Sequence, residues 1–371
     1  MNESFWGASP KGTQRYRDRF GHLPDHFRMQ HGWWLSSIGV GTYLGDPDDA
    51  TDARYVSAIQ RAVACGINVI DTASNYRFQR SERSVGRALQ DLFESGPMQR
   101  DEIVVATKGG YIPFDGSPPS DPEQYIRETY LDTALVHPRD IVDGHCLSPE
   151  FLWYQIDQSR RNLGVECIDI YYVHNPEQQL DAIPRADFRT RLRAAFAFLE
   201  ERVDQGWIRY YGTATWNGYR ASPKAAAYLS LEDVVAVARE VRGINHHCRF
   251  IQLPFNLALL EAITTRNQRA SGELMSTLEA AQRFGVTVMC SAPLLQTRLI
   301  GQIPDQLRAA FGSLTTDAQR AIQFARSAPG VTTALVGMSR VEHVDENIAV
   351  AHAPPLEAAA FKQLFAQRWG V

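Results

Sequence analysis

Eight short runs rich in Val, Ile and Tyr punctuate this chain, each closing on small or polar residues, and that recurrence limits the fold more than any other feature. They are "SSIGVGT" near residue 38, "INVIDTA" near 69, "IVVATKGG" near 105, "IDIYYVHN" near 171, "RYYGTAT" near 211, "FIQLPFN" near 252, "VTVMCSAP" near 288 and "TALVGMS" near 335. Between them lie stretches with helical spacing: "ATDARYVSAIQRAVACG", "SERSVGRALQDLF", "SPEFLWYQIDQSRRNLG", "RLRAAFAFLEERVDQG", "SGELMSTLEAAQRFG" and "TTDAQRAIQFARS". Several of these stop at a glycine just before the next strand, which suits a left-handed C-cap. At 371 residues the chain could form two average domains or one large barrel. Eight strand-like runs alternating with helices point to the second, a single-domain (β/α)8 TIM barrel in the α/β class. We place an N-terminal extension at 1–32, the barrel at 33–352 and a C-terminal segment at 353–371.

The spacing is uneven. Most strands follow one another at about 30 to 45 residues, but about 65 separate the third from the fourth. The intervening stretch, 111–146, opens with turn chemistry in "DGSPPSDP" and continues with a short helical patch around Tyr125, Tyr130 and Leu131. It reads as a long insertion leaving the third strand and covering the barrel mouth. A second disturbance, "PKAAAYLSLEDVVAVAREVRG", fills the fifth βα unit.

Composition excludes several classes. The net charge of -4 argues against nucleic acid as a partner, because duplex binding wants a basic face to displace counterions. No apolar run approaches the roughly 20 residues of a membrane helix, and the first thirty residues lack the apolar centre of a secretion signal, so a cytoplasmic protein is expected. The five cysteines are scattered without a C-x-x-C pair and read as reduced thiols. "NHHCR" at 245–249 crowds His and Cys, but adjacent ligands on one strand point apart, so no metal site is expected.

In barrels of this kind the chemistry sits on loops at the C-terminal ends of the strands. That rule collects Asp71 and Tyr76 after the second strand, Lys108 at the end of the third and His174 at the end of the fourth. A free tyrosine holds its proton too firmly, at a pKa of about 10, to be a good acid near neutrality. Lys108 beside Tyr76 would favour the phenolate, and Asp71 would keep a buried lysine charged and oriented. A neutral His174 could hold a carbonyl oxygen by a ring N–H. Such a group stabilises an oxygen that becomes negative and then protonates it, as carbonyl reduction requires.

These residues carry a family resemblance. D71-T-A-S-N-Y76 with S81-E82 and G86-x-A-L, then "ATK" at 106–108, "RRNLGVECIDIYYVH" at 160–174, "QGWIRYYGTAT" at 205–215, "FIQLPFN" at 250–256 and "VGMSRVEHVDENI" near the end resemble the aldo-keto reductase superfamily, in family order. The resemblance covers about residues 35–350. It implies a (β/α)8 barrel, NADP(H)-dependent reduction of aldehydes or ketones or the reverse, and a catalytic tetrad at Asp71, Tyr76, Lys108 and His174. It also implies a nicotinamide cofactor held without a Rossmann fold, and the chain has no true dinucleotide fingerprint: "GVGTYLG" at 39–45 places its third glycine one residue late.

By the same resemblance the carboxamide of the nicotinamide meets Thr215 and Gln252. Ala214-Thr215 replaces the family's common Ser-Asn, which removes one hydrogen bond. Ser291 stands where the family usually stacks an aromatic residue, and the loop that carries Leu294 lacks the family's glycines, leaving Arg298 to pair with the pyrophosphate. Ser339 and Arg340 begin a helix whose first amides suit a phosphate, and Glu346 and Asn347 are expected at the adenine end. Arg340 favours NADP(H) over NAD(H), whereas His343 replaces an arginine common among relatives. The substrate pocket is assigned to Tyr43, Phe78, Tyr111 and Trp216, an aromatic lining that suits an apolar, aromatic or sugar-ring carbonyl compound equally. The alternative reading is a cofactor-sensing subunit of the same fold, with little turnover, like the barrel subunits that attach to potassium channels.

Overall fold

Period-two alternation decides what each strand of this molecule buries, and the strands come in chain order with little ornament. The computed structural model describes residues 7–96 and 98–369. A hairpin of β1 (Phe27–Gln30) and β2 (Trp33–Ser36) precedes β3 (Ile38–Gly41), β4 (Val69–Asp71), β5 (Val104–Gly109), β6 (Ile168–His174), β7 (Ile208–Ala214) and β8 (Cys248–Pro254). A second hairpin, β9 (Gln268–Ala270) and β10 (Glu273–Met275), then leads to β11 (Thr287–Ser291) and β12 (Val331–Gly337). Strands β3 to β8, β11 and β12 close into one barrel in the order β11-β12-β3-β4-β5-β6-β7-β8, the eight-stranded parallel barrel expected.

Alternate residues of each barrel strand point inward. Val69, Val104, Ala106, Ile170, Tyr172, Phe250, Met289 and Leu335 pack together as the barrel's interior. Two positions further along the same inward columns stand Asp71, Lys108, His174, Gln252 and Ser291. The comb that fills the interior with apolar groups therefore ends, at the C-terminal rim, in polar ones. The outward positions, among them Ile70, Val105, Tyr171, Val173, Ile251 and Val288, pack against Ile59, Val63, Leu89 and Ile156 of the surrounding helices. Each fully buried aliphatic side chain of this layer contributes roughly 1.5–3 kcal/mol. Gly212 is required where β7 meets β8, because a Cβ there would stand 1.6 Å from the Phe250 carbonyl oxygen.

Helices form where the spacing predicts at Asp49–Ala64, Arg80–Ser95, Pro149–Leu163, Arg185–Asp204 and Asp317–Ser327, and the stretch read as a disturbance of the fifth unit holds another, Leu231–Arg242. Gly164 ends one of them, and Gly285 ends the later helix Thr277–Phe284, in the left-handed conformation. One expectation fails: "SGELM" does not begin a helix. Glu273–Met275 is paired antiparallel with Gln268–Ala270, and the helix starts only at Thr277, behind the Ser276–Glu279 capping box.

The described part of the segment expected as an extension packs on the barrel: Ala8 joins the interior cluster and Arg28 donates to the Thr332 carbonyl oxygen at 3.0 Å. The β1–β2 hairpin straddles residue 32, and Trp33 and Leu35 join the interior cluster, with Trp33 edge-on to Tyr210 at 4.9 Å. Residues 1–6 of that segment lie outside the described residues. At the other end, the helix Ala358–Trp369 places Phe361 5.1 Å from Phe324, and residues 370 and 371 are again outside the described part.

The 111–146 insertion also departs from expectation. Tyr130, Val136 and Cys146 gather with Phe151, and the Tyr130 ring lies 5.9 Å from both Phe151 and Tyr154 on the helix Pro149–Leu163. Its own apolar residues thus seat it sideways on that helix instead of across the mouth. Among the described residues no helix is long and apolar enough to cross a membrane.

Candidate active site

The inward columns of β4, β5 and β6 bring three side chains to one point at the rim, and the loop after β4 adds a fourth. The Lys108 ammonium donates to Asp71 Oδ2 at 2.5 Å, to the Thr72 carbonyl oxygen at 2.8 Å and to the Tyr76 hydroxyl at 3.3 Å. The other Asp71 oxygen accepts from Gln252 Nε2 at 2.7 Å. His174 stands edge-on to Tyr76, ring centroids 5.8 Å apart, and Tyr43 does the same from the other side at 5.0 Å. The four tetrad residues expected from separate strand ends are one contiguous group.

Burial sets their charges. Burial pushes the Asp71 carboxyl up, opposed by the Lys108 ammonium and the Gln252 amide. For Lys108 burial pulls downward, but Asp71 and Tyr76 together outweigh it and the ammonium is held above its ordinary value. Burial and the nearby positive charge of Lys108 push His174 well down, so its imidazole is neutral. Tyr76 corrects the sequence reading: Lys108 does favour the phenolate, yet burial is larger and the phenol sits above its ordinary value.

Asp71, Tyr76 and His174 edge a cavity of about 440 Å3, with Lys108 buried behind them. Its walls include Tyr43, Tyr111 and Trp216 of the residues assigned to the substrate, and Thr215, Gln252, Ser291 and Leu294 of those assigned to the cofactor. Phe78 is not among them; its ring stacks on Phe114 at 6.2 Å, where the insertion meets the β4 loop. The insertion contributes Tyr111 alone to the cavity's edge. Arg298 is exposed beyond that edge. Ser339 and Arg340 follow β12 just past Gly337, which does line the cavity. Arg340 is the exposed N-cap of the helix Val341–Ile348, which has no side-chain cap; Glu346 and the buried Asn347 lie in its last turn, and His343 is exposed.

The cavity suits a nicotinamide. Thr215 Oγ1 and Asn75 Oδ1 are buried at its wall without hydrogen-bond partners, and Asn347 Oδ1 is likewise unpartnered. A buried polar atom left so costs about 1–3 kcal/mol, which a carboxamide reaching Thr215 would offset. Gln252 differs from expectation in detail, since one of its two amide N–H groups is given to Asp71 and its carbonyl oxygen and second N–H remain.

Several contributors escaped sequence reasoning. His145, at the end of the insertion, makes a 2.6 Å hydrogen bond through Nε2 to the His174 carbonyl oxygen, and Gln179 binds the other ring nitrogen at 3.0 Å. Asn175, left-handed at φ 42, donates to the Tyr111 hydroxyl at 2.9 Å. Glu177 accepts from the amides of Trp216, Asn217 and Gly218, each at 3.1 Å, and so fixes the loop that presents Trp216. An Asn following a strand is the one local signal among these, since Asn tolerates that conformation. Glu82, the other acid of the motif, is spent on Thr107 and Asn162. Among the described residues no three His, Cys, Asp or Glu side chains group so as to hold a metal ion.

Comparison with known proteins finds likenesses of sequence and of fold. The family model described as Aldo/keto reductase family matches residues 37–366. Over 185 residues, 48% of the chain, the sequence is 32% identical to the NADH-specific methylglyoxal reductase of Escherichia coli (strain K12), and that match spans only about half, 48%, of the relative. It is 24% identical over 337 residues, 86% of this chain and 88% of the relative, to a probable voltage-gated potassium channel subunit beta of Arabidopsis thaliana. Among solved structures, an aldo/keto reductase from Klebsiella pneumoniae in complex with NADP and acetate shares the fold with a TM-score of 0.63, at 22% identity, over 93% of this chain and 95% of that one.

Proposed function

The chain belongs to the aldo/keto reductase family, and from that premise we propose that it interconverts an aldehyde or ketone and the corresponding alcohol, with Tyr76 as the proton donor. One observation carries the reading: the Lys108 ammonium lies between Asp71 and the Tyr76 hydroxyl, with neutral His174 beside them at the cavity's edge. The nicotinamide, when bound, supplies the hydride. Thr215, the Gln252 carbonyl oxygen, Ser291 and Leu294 would hold its reacting end, and Ser339, Arg340, Glu346 and Asn347 its adenine end. We favour NADP(H) over NAD(H) on the strength of Arg340, although one relative is described as NADH-specific.

The raised pKa of Tyr76 makes it a reluctant acid, so its role as donor depends on Lys108. The phenol keeps its proton near neutrality, as a donor must. Lys108 acts when that proton leaves, because a fixed ammonium 3.3 Å away stabilises the phenolate as it forms. Stabilisation that grows toward the transition state is what accelerates a step. His174, kept neutral, can donate a ring N–H to the carbonyl oxygen without offering a competing acidic proton. Asp71 holds the lysine in place and charged.

Tyr76→Phe is the test. It should lower NADPH oxidation with methylglyoxal or benzaldehyde by roughly 10²- to 10⁴-fold, the range of general-acid contributions, with the NADPH dissociation constant nearly unchanged. Retained turnover would refute the assignment. The similarity to a channel subunit favours a second reading, a cofactor sensor; saturable NADPH fluorescence changes without turnover of either aldehyde by the unaltered protein would select it.

A further inference from the structure

Directly after Tyr76 the backbone makes a turn that side chains other than glycine avoid. Arg77, Phe78 and Gln79 are all left-handed, at φ 49, 57 and 70. Glycine is the residue such positions ordinarily take, because a Cβ is crowded there. Each of the three instead carries a group anchored elsewhere. The Arg77 side chain is buried, and its guanidinium donates to the Asp46 carbonyl oxygen at 2.9 Å, to that of Asp48 at 3.4 Å and to the Asp52 carboxylate. Phe78 stacks on Phe114 and its carbonyl oxygen accepts from Gly116 N at 2.9 Å. Gln79 donates to the Phe114 carbonyl oxygen at 3.0 Å and accepts from Asn162 at 3.1 Å.

Arg77 is the member that reaches toward the reacting atoms' other wall. Asp46 and Asp48 belong to the loop after β3, which also carries Tyr43 and Leu44 to the cavity. The same guanidinium lies 5.3 Å from the Tyr55 ring, whose hydroxyl binds the Leu44 carbonyl oxygen at 2.6 Å. Asp52 is buried too, and further accepts from Arg80 at 2.6 Å and Ser84 at 3.2 Å. One charged side chain thus clamps the loop of Tyr43 to the loop of Tyr76, whose rings are 5.0 Å apart.

We propose that Arg77 is a positioning residue: its clamp between the β3 and β4 loops holds the Tyr76 hydroxyl at hydrogen-bond distance from Lys108 and keeps the Tyr76 ring edge-on to Tyr43 at the cavity's wall. This rests on the reading of Tyr76 as proton donor. The three left-handed residues leave Tyr76 at the end of a short, stiff turn, so a shift of the Arg77 anchor is transmitted to the phenol instead of being absorbed. Glycine at 77 would accept the same backbone conformation and remove only the clamp.

The experiment compares the parent with Arg77→Gly, Arg77→Lys, Asp52→Asn and Tyr76→Phe, using NADPH and benzaldehyde. Arg77→Gly should lower kcat by roughly 30- to 100-fold, the effect of a misplacement of about 1 Å, with the NADPH dissociation constant within about twofold. Lysine reaches Asp52 but cannot fork to both carbonyl oxygens, so Arg77→Lys should recover part of kcat. Asp52→Asn should lower kcat less, by about tenfold, and add little to Arg77→Gly because both act through one clamp. An Arg77→Gly protein with kcat within about threefold of the parent overturns the proposal, as does a loss of cofactor affinity in step with kcat. Should Arg77→Gly fail to fold, Asp52→Asn decides by the same criteria. A dead Tyr76→Phe beside an unimpaired Arg77→Gly removes the clamp alone, whereas an active Tyr76→Phe removes the reading beneath it.

Discussion

Lys108→Met should uncouple the site in a way that can be measured twice, once as stability and once as rate. The change takes the ammonium from three acceptors, Asp71 at 2.5 Å, the Thr72 carbonyl oxygen at 2.8 Å and Tyr76 at 3.3 Å. The lysine side chain is wholly buried and that of Asp71 is 6% exposed, so water does not replace what is lost. Asp71 is left with the Gln252 amide at 2.7 Å. Breaking a buried pair and stranding its partner costs about 3–5 kcal/mol. Asp71 already has its pKa raised from 3.8 by burial, with Lys108 opposing, and without Lys108 it rises further. A carboxyl raised in the native state binds its proton there first, so stability is greatest below the unfolded value and falls as pH climbs through the folded one. The deficit of the variant against the parent should therefore narrow from pH 7 toward pH 4, and Asp71→Asn added to Lys108→Met should recover about 1–3 kcal/mol. Urea midpoints at matched slopes measure both. A deficit under about 1 kcal/mol, or one indifferent to pH, would refute the account of a stranded carboxylate. In the same preparation NADPH oxidation should fall by about 10²- to 10³-fold, the usual consequence of losing one preorganised donor at a developing anion.

Two further expectations follow from buried groups. Thr215→Val replaces a hydroxyl that has no partner in the protein, so unfolding midpoints should hold or rise while NADPH affinity falls about five- to tenfold, measured by fluorescence quenching; unchanged affinity would remove Thr215 from the cofactor's contacts. Acid should destabilise the fold well before its carboxylates protonate, because burial lowers His26 to about 3 and His145 to about 4 from 6.5. These depressed groups contribute stability above pH 6.5 that is lost as pH falls, each up to about 1.4 kcal/mol per pH unit, and urea midpoints constant from pH 7 to 5 would contradict it.

The barrel, and the meeting of Asp71, Lys108 and His174 at its rim, were legible because both rest on the strand's period of two. Val69 and Asp71, or Ile170 and His174, share a column in any parallel barrel, whatever surrounds them. What stayed hidden depends on distant pairing. "SGELM" has helical composition, yet Gln268–Ala270 offers an antiparallel partner and wins. The insertion reads as a lid until Tyr130 is seen to find Phe151 and Tyr154, which lie on a helix the sequence places after it. The turn at Arg77–Gln79 carries no glycine, so nothing local announces φ above zero. His145 sits among turn residues, and its bond to the His174 carbonyl oxygen exists only once the insertion folds back. Even the Tyr76–Lys108 pair, read correctly as neighbours, misled about the phenol's pKa, since burial cannot be weighed against charge without coordinates.

The shared inward columns make the rim intolerant of frame errors. Deleting one residue between Val104 and Lys108 would turn Lys108 toward the helices and aim Thr107 or its neighbour at the substrate, while the apolar filling below would be exchanged for the face meant for the outer layer. Variation in this molecule must therefore come by lengthening loops, as the 111–146 insertion does, or by swapping single side chains in place; a strand can be rewritten, but it cannot be slid.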